Sequence, residues 1–301
     1  MAVIAAYIAV ILIWSTTPLA IKLSNDSLAP IAAVSLRMLL ACVGGLLITL
    51  LWRKAGRLQL GNAKSYALAS LTLFPSMPLV YYAAQFISSG LISVLFGLMP
   101  LVSAVFAAYI LDEHFLTWRR VVAQLIALAG LVLISYNQLN LSEHAIYGVL
   151  LTVLATTIYS WSSVYLKKYN ASKAVPAFEQ TVGALLFSLP GMFICWWLLV
   201  DDYQLVFSST SAISITYLAF IGSLVGFFAF FSILGKLPMS LIAIIPVITP
   251  MLALWLGMSI AGEELSAITL MGAGLIITGL MLYEGIPIWL WQKAKCYWLS
   301  R

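Results

Sequence analysis

Residues 91–113 read LISVLFGLMPLVSAVFAAYILDE, and residues 241–263 read LIAIIPVITPMLALWLGMSIAGE. Each opens on Leu-Ile, reaches a proline nine residues later (Pro100, Pro250) and closes on a glutamate (Glu113, Glu263), all at one offset of 150 residues. Neither stretch carries a charge before its last residues. A bilayer's hydrocarbon core needs about 20 apolar residues per helix, so each reads as a membrane span, and the shared landmarks read as one element used twice.

The correspondence extends in both directions. Tyr81 falls on Phe231, and Gly130 falls on Gly279 after a one-residue slip. Near the start the offset is about 147, which sets Trp14-Ser15 on Trp161-Ser162, while Arg37 to Ala41 faces Gln180 to Ala184. Polar interruptions cut the chain into ten apolar runs, at about 3–21, 31–51, 65–84, 90–110, 120–137, 147–166, 176–199, 212–234, 238–260 and 267–286. The first run is read as a retained helix, because no basic leader or cleavage site accompanies it. The expected fold is an all-α integral membrane protein of two five-helix halves, residues 1–141 and 142–286, followed by a basic and aromatic tail, 287–301. Five is odd, so the halves cross the membrane in opposite senses. Inverted repeats place a site where the halves meet near the midplane, and rocking one against the other exposes it to each side in turn.

Composition agrees. Apolar residues make up 63% and charged residues 8% of the chain, and the mean hydropathy is +1.06. Soluble domains carry about 25% charged residues, so a water-soluble globule, a disordered chain and a disulfide scaffold are all excluded. The net charge of +5 does not mark a nucleic-acid partner, because the charges sit at the ends of apolar runs. Thirteen of the fifteen Lys and Arg fall on one side of a ten-span layout, in the loops around Arg53, Arg119 and Lys167, at Lys236 and in the tail. By the positive-inside rule that side is the cytoplasm, and both termini lie there.

On the Trp14-Ser15 element, the Pro30 to Arg37 spacing, Leu98-Met99-Pro100-Leu101, the Leu111-Asp112-Glu113 turn with Gly130 downstream, and weaker copies in the second half, the chain resembles the EamA type of the drug/metabolite transporter superfamily. The resemblance reaches to about residue 285. It implies a ten-helix secondary carrier of the cell's inner membrane, commonly an exporter of amino acids, other metabolites or toxic compounds, and it does not name the substrate.

Arg37 is the basic residue set well inside a predicted span, about 10 Å from its external end at 1.5 Å per residue. A charge at that depth costs several kcal/mol unless paired or hydrated. It is read either as a site for an anionic substrate group or as a structural or gating residue whose stem reaches the interface. Glu179, beside Gln180 at the cytoplasmic start of the seventh span, is either an interfacial carboxylate favoured by the helix N-terminus or a protonatable coupling site. Glu113 and Glu263 are expected to cap helix ends. Trp14, Ser15 and Thr16 in the first span and Tyr159 and Trp161 in the sixth bring polar groups to the bilayer interior. Their hydroxyls repair backbone bonds or line a cavity. Phe74, Tyr81 and Tyr82 in the third span, Met99 in the fourth, and Phe227 and Phe228 in the eighth supply an apolar wall or lipid-facing packing. Pro18, Pro75, Pro78, Pro100, Pro246 and Pro250 mark kinks at which a carrier could bend.

The small residues Gly44-Gly45, Gly272-Ala273-Gly274 and Gly279 allow close helix approach, within one chain or in a homodimer. Trp289, Trp291, Tyr297 and Trp298 read as an interfacial anchor against membrane lipids. No cofactor or metal is expected. All four aspartates lie in loops, His114 and His144 fall on opposite sides, and HExxH, GxSxG and nucleotide-binding motifs are missing from the sequence, so an intramembrane enzyme is not expected. Transport against a gradient would then use protons or an exchanged solute. The alternatives are a facilitative uniporter, an exchanger or a channel-like pathway, and no charged ring or repeated filter sequence favours the channel.

Overall fold

Prolines, glycines and polar ends divide the apolar runs into helices of unequal length. The computed structural model describes residues 2–51, 58–110, 117–141, 144–173, 175–200, 205–234 and 245–285, and among them every regular element is helical. In chain order these are α1 (Ala2–Ser24), α2 (Pro30–Leu51), a 3-10 turn (Leu60–Asn62), α3 (Ala63–Ser70), α4 (Ser76–Ala83), α5 (Ser89–Phe96) and α6 (Met99–Ile110). There follow α7 (Trp118–Leu141), α8 (Ala145–Asn170), α9 (Ala177–Leu199), α10 (Ser209–Tyr217), a π-helical stretch (Leu218–Val225), α11 (Gly226–Leu234), α12 (Ile245–Ile260) and α13 (Ala267–Glu284).

Six helical stretches among the described residues are long and apolar enough to cross a bilayer: Val3–Ser24, Pro30–Leu51, Ser89–Ile110, Ala145–Asn170, Ala177–Leu199 and Ser209–Phe230. The other predicted runs depart from a simple crossing helix for local reasons. The third is broken into α3 and α4 by tight i→i−3 turns at residues 71–73 and a cis Phe74–Pro75 bond, where Pro75 has no N–H to continue the ladder. The fifth, α7, begins on Arg119 and Arg120 and ends among Asn137, Gln138 and Asn140. Ile248–Ile260 and Ala267–Tyr283 are apolar but shorter. Pro100 sits in the first turn of α6, where a missing N–H is tolerated, after the helix is interrupted at Gly97-Leu98. Pro250 lies inside α12, and its ring packs beside Gly97, so the two proline sites meet.

The helices of residues 2–141 pack largely on those of residues 144–285. The closest pair is α7 with α13, which lie along one another with the Gly130 and Gly272 backbones in contact. α5 packs on α12, and α2 packs on α9. α1 lies against α10, α11 and α12, while α8 lies against α3, α4, α5 and α6. α2 also touches the π-helical stretch, as α9 touches α3. Partners are thus chosen reciprocally across the proposed correspondence. The shared apolar core buries Val34, Met38, Ile92, Leu95, Leu185 and Leu218, with a few polar side chains set within it. Cys42 and Cys195 are unpaired thiols. Arg53, Lys54, Arg57, the Leu111-Asp112-Glu113 turn, Glu143, Asp201, Asp202, Lys236, Leu241-Ile242 and the 287–301 tail lie outside the described residues, as do the side chains of Phe231 and Pro246.

Candidate functional site

The Pro30 start fixes the register of α2, and seven residues on it turns Arg37 inward, where it is 3% exposed. Its Nε donates to Ser223 Oγ at 3.1 Å and its Nη1 to the Tyr81 hydroxyl at 3.3 Å. The guanidinium also stands 6.0 Å from the centre of the Tyr81 ring. Tyr81 is fully buried near the end of α4, and its carbonyl accepts from the Asn25 amide at 2.9 Å. Ser223 belongs to the π-helical stretch, and π-turns of this kind often accompany functional positions. Nη2 lies beside the neighbouring Gly222, 3.5 Å from where a Cβ would stand, an ordinary contact. Among the described residues Arg37 has no carboxylate partner. Its hydrogen-bond partners come from both halves of the chain. Close by in sequence, Tyr217 shares a 2.6 Å hydrogen bond with Thr16 of α1, a second polar link between halves.

Two carboxylate-centred clusters tie the halves together on either side of this cation. On one face, Glu263 accepts from Lys22 Nζ at 2.8 Å, from the Ser89 N–H and Oγ at 2.9 and 3.1 Å, and from the Gly90 N–H at 3.3 Å. Burial alone would raise the Glu263 carboxyl, but Lys22 and the two backbone N–H groups outweigh it and hold the group below the ordinary carboxylate range. On the other face, Glu179 Oε1 accepts from Asn62 Nδ2 at 2.7 Å and from the Tyr66 hydroxyl, which in turn accepts from the Gln59 N–H at 3.0 Å. Gln180 beside it is paired at both its oxygen and its nitrogen: its carbonyl oxygen accepts from Ser65 Oγ at 2.7 Å and Asn170 Nδ2 at 3.2 Å, and its amide donates to the Ser65 carbonyl at 3.0 Å.

The EamA-like transporter family matches this chain twice, over residues 1–136 and 146–284. The chain belongs to the EamA-like transporter family. It is a multi-pass membrane transporter. Among EamA-type relatives it is 27% identical over 288 residues to the uncharacterized transporter YoaV of Bacillus subtilis, covering 91% of this chain and 94% of that one. It is 22% identical to a "probable amino-acid metabolite efflux pump" of Escherichia coli, over 95% of both chains. It is 25% identical to the uncharacterized inner membrane transporter YedA of Escherichia coli, over 92% and 89%. A solved crystal structure superposes with a TM-score of 0.66 at 19% identity, covering 94% of this chain and 97% of that one, which shows a shared fold.

The EamA-family chain gathers some of the expected site residues and scatters others. Arg37, Tyr81 and Thr16 belong to the links just described. Trp14 packs on Phe230 with ring centres 4.8 Å apart. Phe74 lies against Gly191 of α9, and Phe227 packs on the core. The Met99 carbonyl accepts from Ser160 at 3.3 Å, beside half-buried Tyr159. Tyr82, Trp161 and Phe228 sit on the outer surface, and Trp161 shares its helix face with exposed Tyr147, Leu150 and Leu154. Ser15 and Thr17 bond back to the Ile11 and Ile13 carbonyls, as Thr16 does to those of Leu12 and Ile13, one to three residues before the Trp14 carbonyl that Pro18 leaves without its donor. Ser223, Tyr217, Tyr66 and Asn62 were not singled out from the sequence. A lone hydroxyl in the apolar run Leu218–Val225 was the available signal for Ser223.

Proposed function

We propose that this EamA-family transporter is a secondary-active carrier that exports small organic metabolites, amino acids among them, or toxic compounds across the cytoplasmic membrane. In this reading it has ten spans in two inverted five-helix repeats, with both termini in the cytoplasm. The observation that carries it is Arg37, a cation buried between the halves and held by hydroxyls from each. A polar group at that depth is expensive to keep and marks a solute or ion path. The reciprocal packing of α1 and α8, α2 and α9, and α5 and α12 supports the repeats, as does the double family match. Alternating access then rocks the halves about the facing Gly97 and Pro250, with the Glu263 cluster closing the external face and the Glu179 cluster the cytoplasmic one. The solute path runs between α1, α4 and α5 on one side and α8, the π-helical stretch and α12 on the other. Glu179, which neutral groups hold, is the candidate for proton coupling; exchange of solutes is the other drive. The efflux-pump name of the Escherichia coli relative supports export.

The test is flux into and out of liposomes containing purified protein alone, with a panel of labelled amino acids and dyes, with and without a proton gradient. Movement of at least one solute is expected. No movement under any gradient refutes the carrier. Independently, a cysteine placed in the carboxyl-terminal tail is expected to react with an impermeant reagent from the cytoplasmic side; reaction from outside refutes the orientation.

A further inference from the structure

The position that corresponds to Arg37 in the second half is Gln180, and the contrast between the two is informative. Each reaches from the second helix of its half to the other half: Gln180 to Ser65 of α3, Arg37 to Ser223 of the π-helical stretch. Gln180 does this as a neutral amide with its oxygen and nitrogen both paired. Arg37 does it with a full charge and five N–H donors, of which Ser223 and Tyr81 take one each. Three N–H groups have no acceptor among the described residues. A buried helix-to-helix tether is made more cheaply by an amide, so tethering does not account for the charge.

The geometry points to a different role, which rests on the carrier reading above: Arg37 is the subsite for a carboxylate on the transported solute. A guanidinium offers a planar fork of parallel N–H groups that matches the two oxygens of a carboxylate. Here Ser223 takes the Nε–H and Tyr81 one N–H of Nη1, so both N–H groups of Nη2 and the second of Nη1 are left for an anion, with Nη2 standing beside Gly222. Both hydroxyls can turn from accepting to donating, so Tyr81 and Ser223 can join Arg37 in holding the anion. Because Tyr81 lies in the first half and Ser223 and Gly222 lie in the second, a carboxylate at this point touches both. Its arrival neutralises the buried cation and its departure restores it, so occupancy and the relation of the halves are linked. The positively charged amine of an amino acid contributes nothing at this point, and a solute with an amine alone is repelled. The solute class is therefore one bearing a carboxylate, with or without an amine.

The experiment uses full-length protein in liposomes and reads counterflow of labelled phenylalanine and labelled leucine. Competitors are supplied as acid or amine on the same skeletons: 3-phenylpropionate against 2-phenylethylamine, and 4-methylpentanoate against 3-methylbutylamine, with protein-free liposomes correcting for leak. The acids are expected to compete at least about 10-fold better than the amines, the lower end for charge-assisted hydrogen bonds in a buried site. Arg37→Gln is expected to lose that preference, and Arg37→Lys to keep part of it. Size-exclusion profile and melting temperature check that each variant is folded. If Arg37→Gln does not fold, Ser223→Ala, which leaves the charge in place, is expected to weaken acid competition several-fold and leave amine competition unchanged. Equal competition by acid and amine in the wild type overturns the subsite while leaving the carrier standing, and so does an unchanged preference in folded Arg37→Gln. If neither labelled amino acid exchanges, the subsite is overturned; the wider panel of dyes and solutes then decides separately whether the carrier reading fails with it.

Discussion

Glu263→Gln tests how the cluster around Glu263 holds the two halves together. The wild-type carboxylate is almost fully buried, with 4% of its side chain exposed, and it receives an ion pair from Lys22 together with three hydrogen bonds from Ser89 and Gly90 at the start of α5. Hydrogen bonds to a charged group are worth about 1.5–3 kcal/mol each in stability. The Lys22 side chain is 40% exposed and regains water when its partner is neutralised, so the ion pair itself is discounted. Glutamine also keeps one oxygen that accepts from an α5 N–H. The net loss is therefore about 2 kcal/mol, well short of the 3–5 kcal/mol of breaking a fully buried pair. Purified protein in detergent is melted by following tryptophan fluorescence, for wild type, Glu263→Gln, Lys22→Met and the double variant. Both single variants are expected to melt earlier, and the double variant later than the sum of the two losses predicts, because the removed groups face each other.

The pH dependence of Glu263 has a definite sign. Its folded-state carboxyl lies below the ordinary range, so the stability it contributes is fully present above the unfolded value and is lost as pH falls through the folded one. The gap between wild type and Glu263→Gln should be flat between about pH 5 and pH 8 and should shrink under more acidic conditions. A gap that closes near neutral pH, or single variants that melt like wild type, refutes this account of the cluster.

Four further outcomes follow from the packing. Tyr66→Phe removes the hydroxyl bonded to Glu179 and should loosen the cluster around Glu179, read as faster labelling of Ser65→Cys by an impermeant maleimide in the Tyr66→Phe background than with Tyr66 present. Gly183→Ala would drive a Cβ into the Tyr66 ring, which the Glu179 and Gln59 bonds hold in place, so about 1–3 kcal/mol is lost to overpacking and the melting temperature falls. Gly130→Ala places a Cβ 2.6 Å from the Gly272 carbonyl oxygen and should separate α7 from α13, with a similar loss in the same melt. Gly274→Ala, whose added Cβ would meet no neighbour within 4 Å, should melt like wild type.

Local hydropathy was enough to show a helical membrane chain, because a bilayer demands an apolar run of set length wherever the backbone crosses it. It also brought Pro100 and Pro250 into register, since the repeat is written in residue order. Broken helices were legible in part: Pro75 marked the interruption between α3 and α4, whereas Pro18 sits in an unbroken α1. Partners were not legible. Glu263 was expected to cap a helix end, and the structure has it serving α5, 174 residues away, and Lys22, 241 residues away. Glu179 reads as interfacial from its place two residues into α9, yet the residues 62–66 segment covers it. Ser223 joins Arg37 across 186 residues. Hydropathy is a property of each segment, and a burial pattern can be read from it. Which polar group meets which depends on how the segments are stacked, and that information resides in the packing of one half on the other.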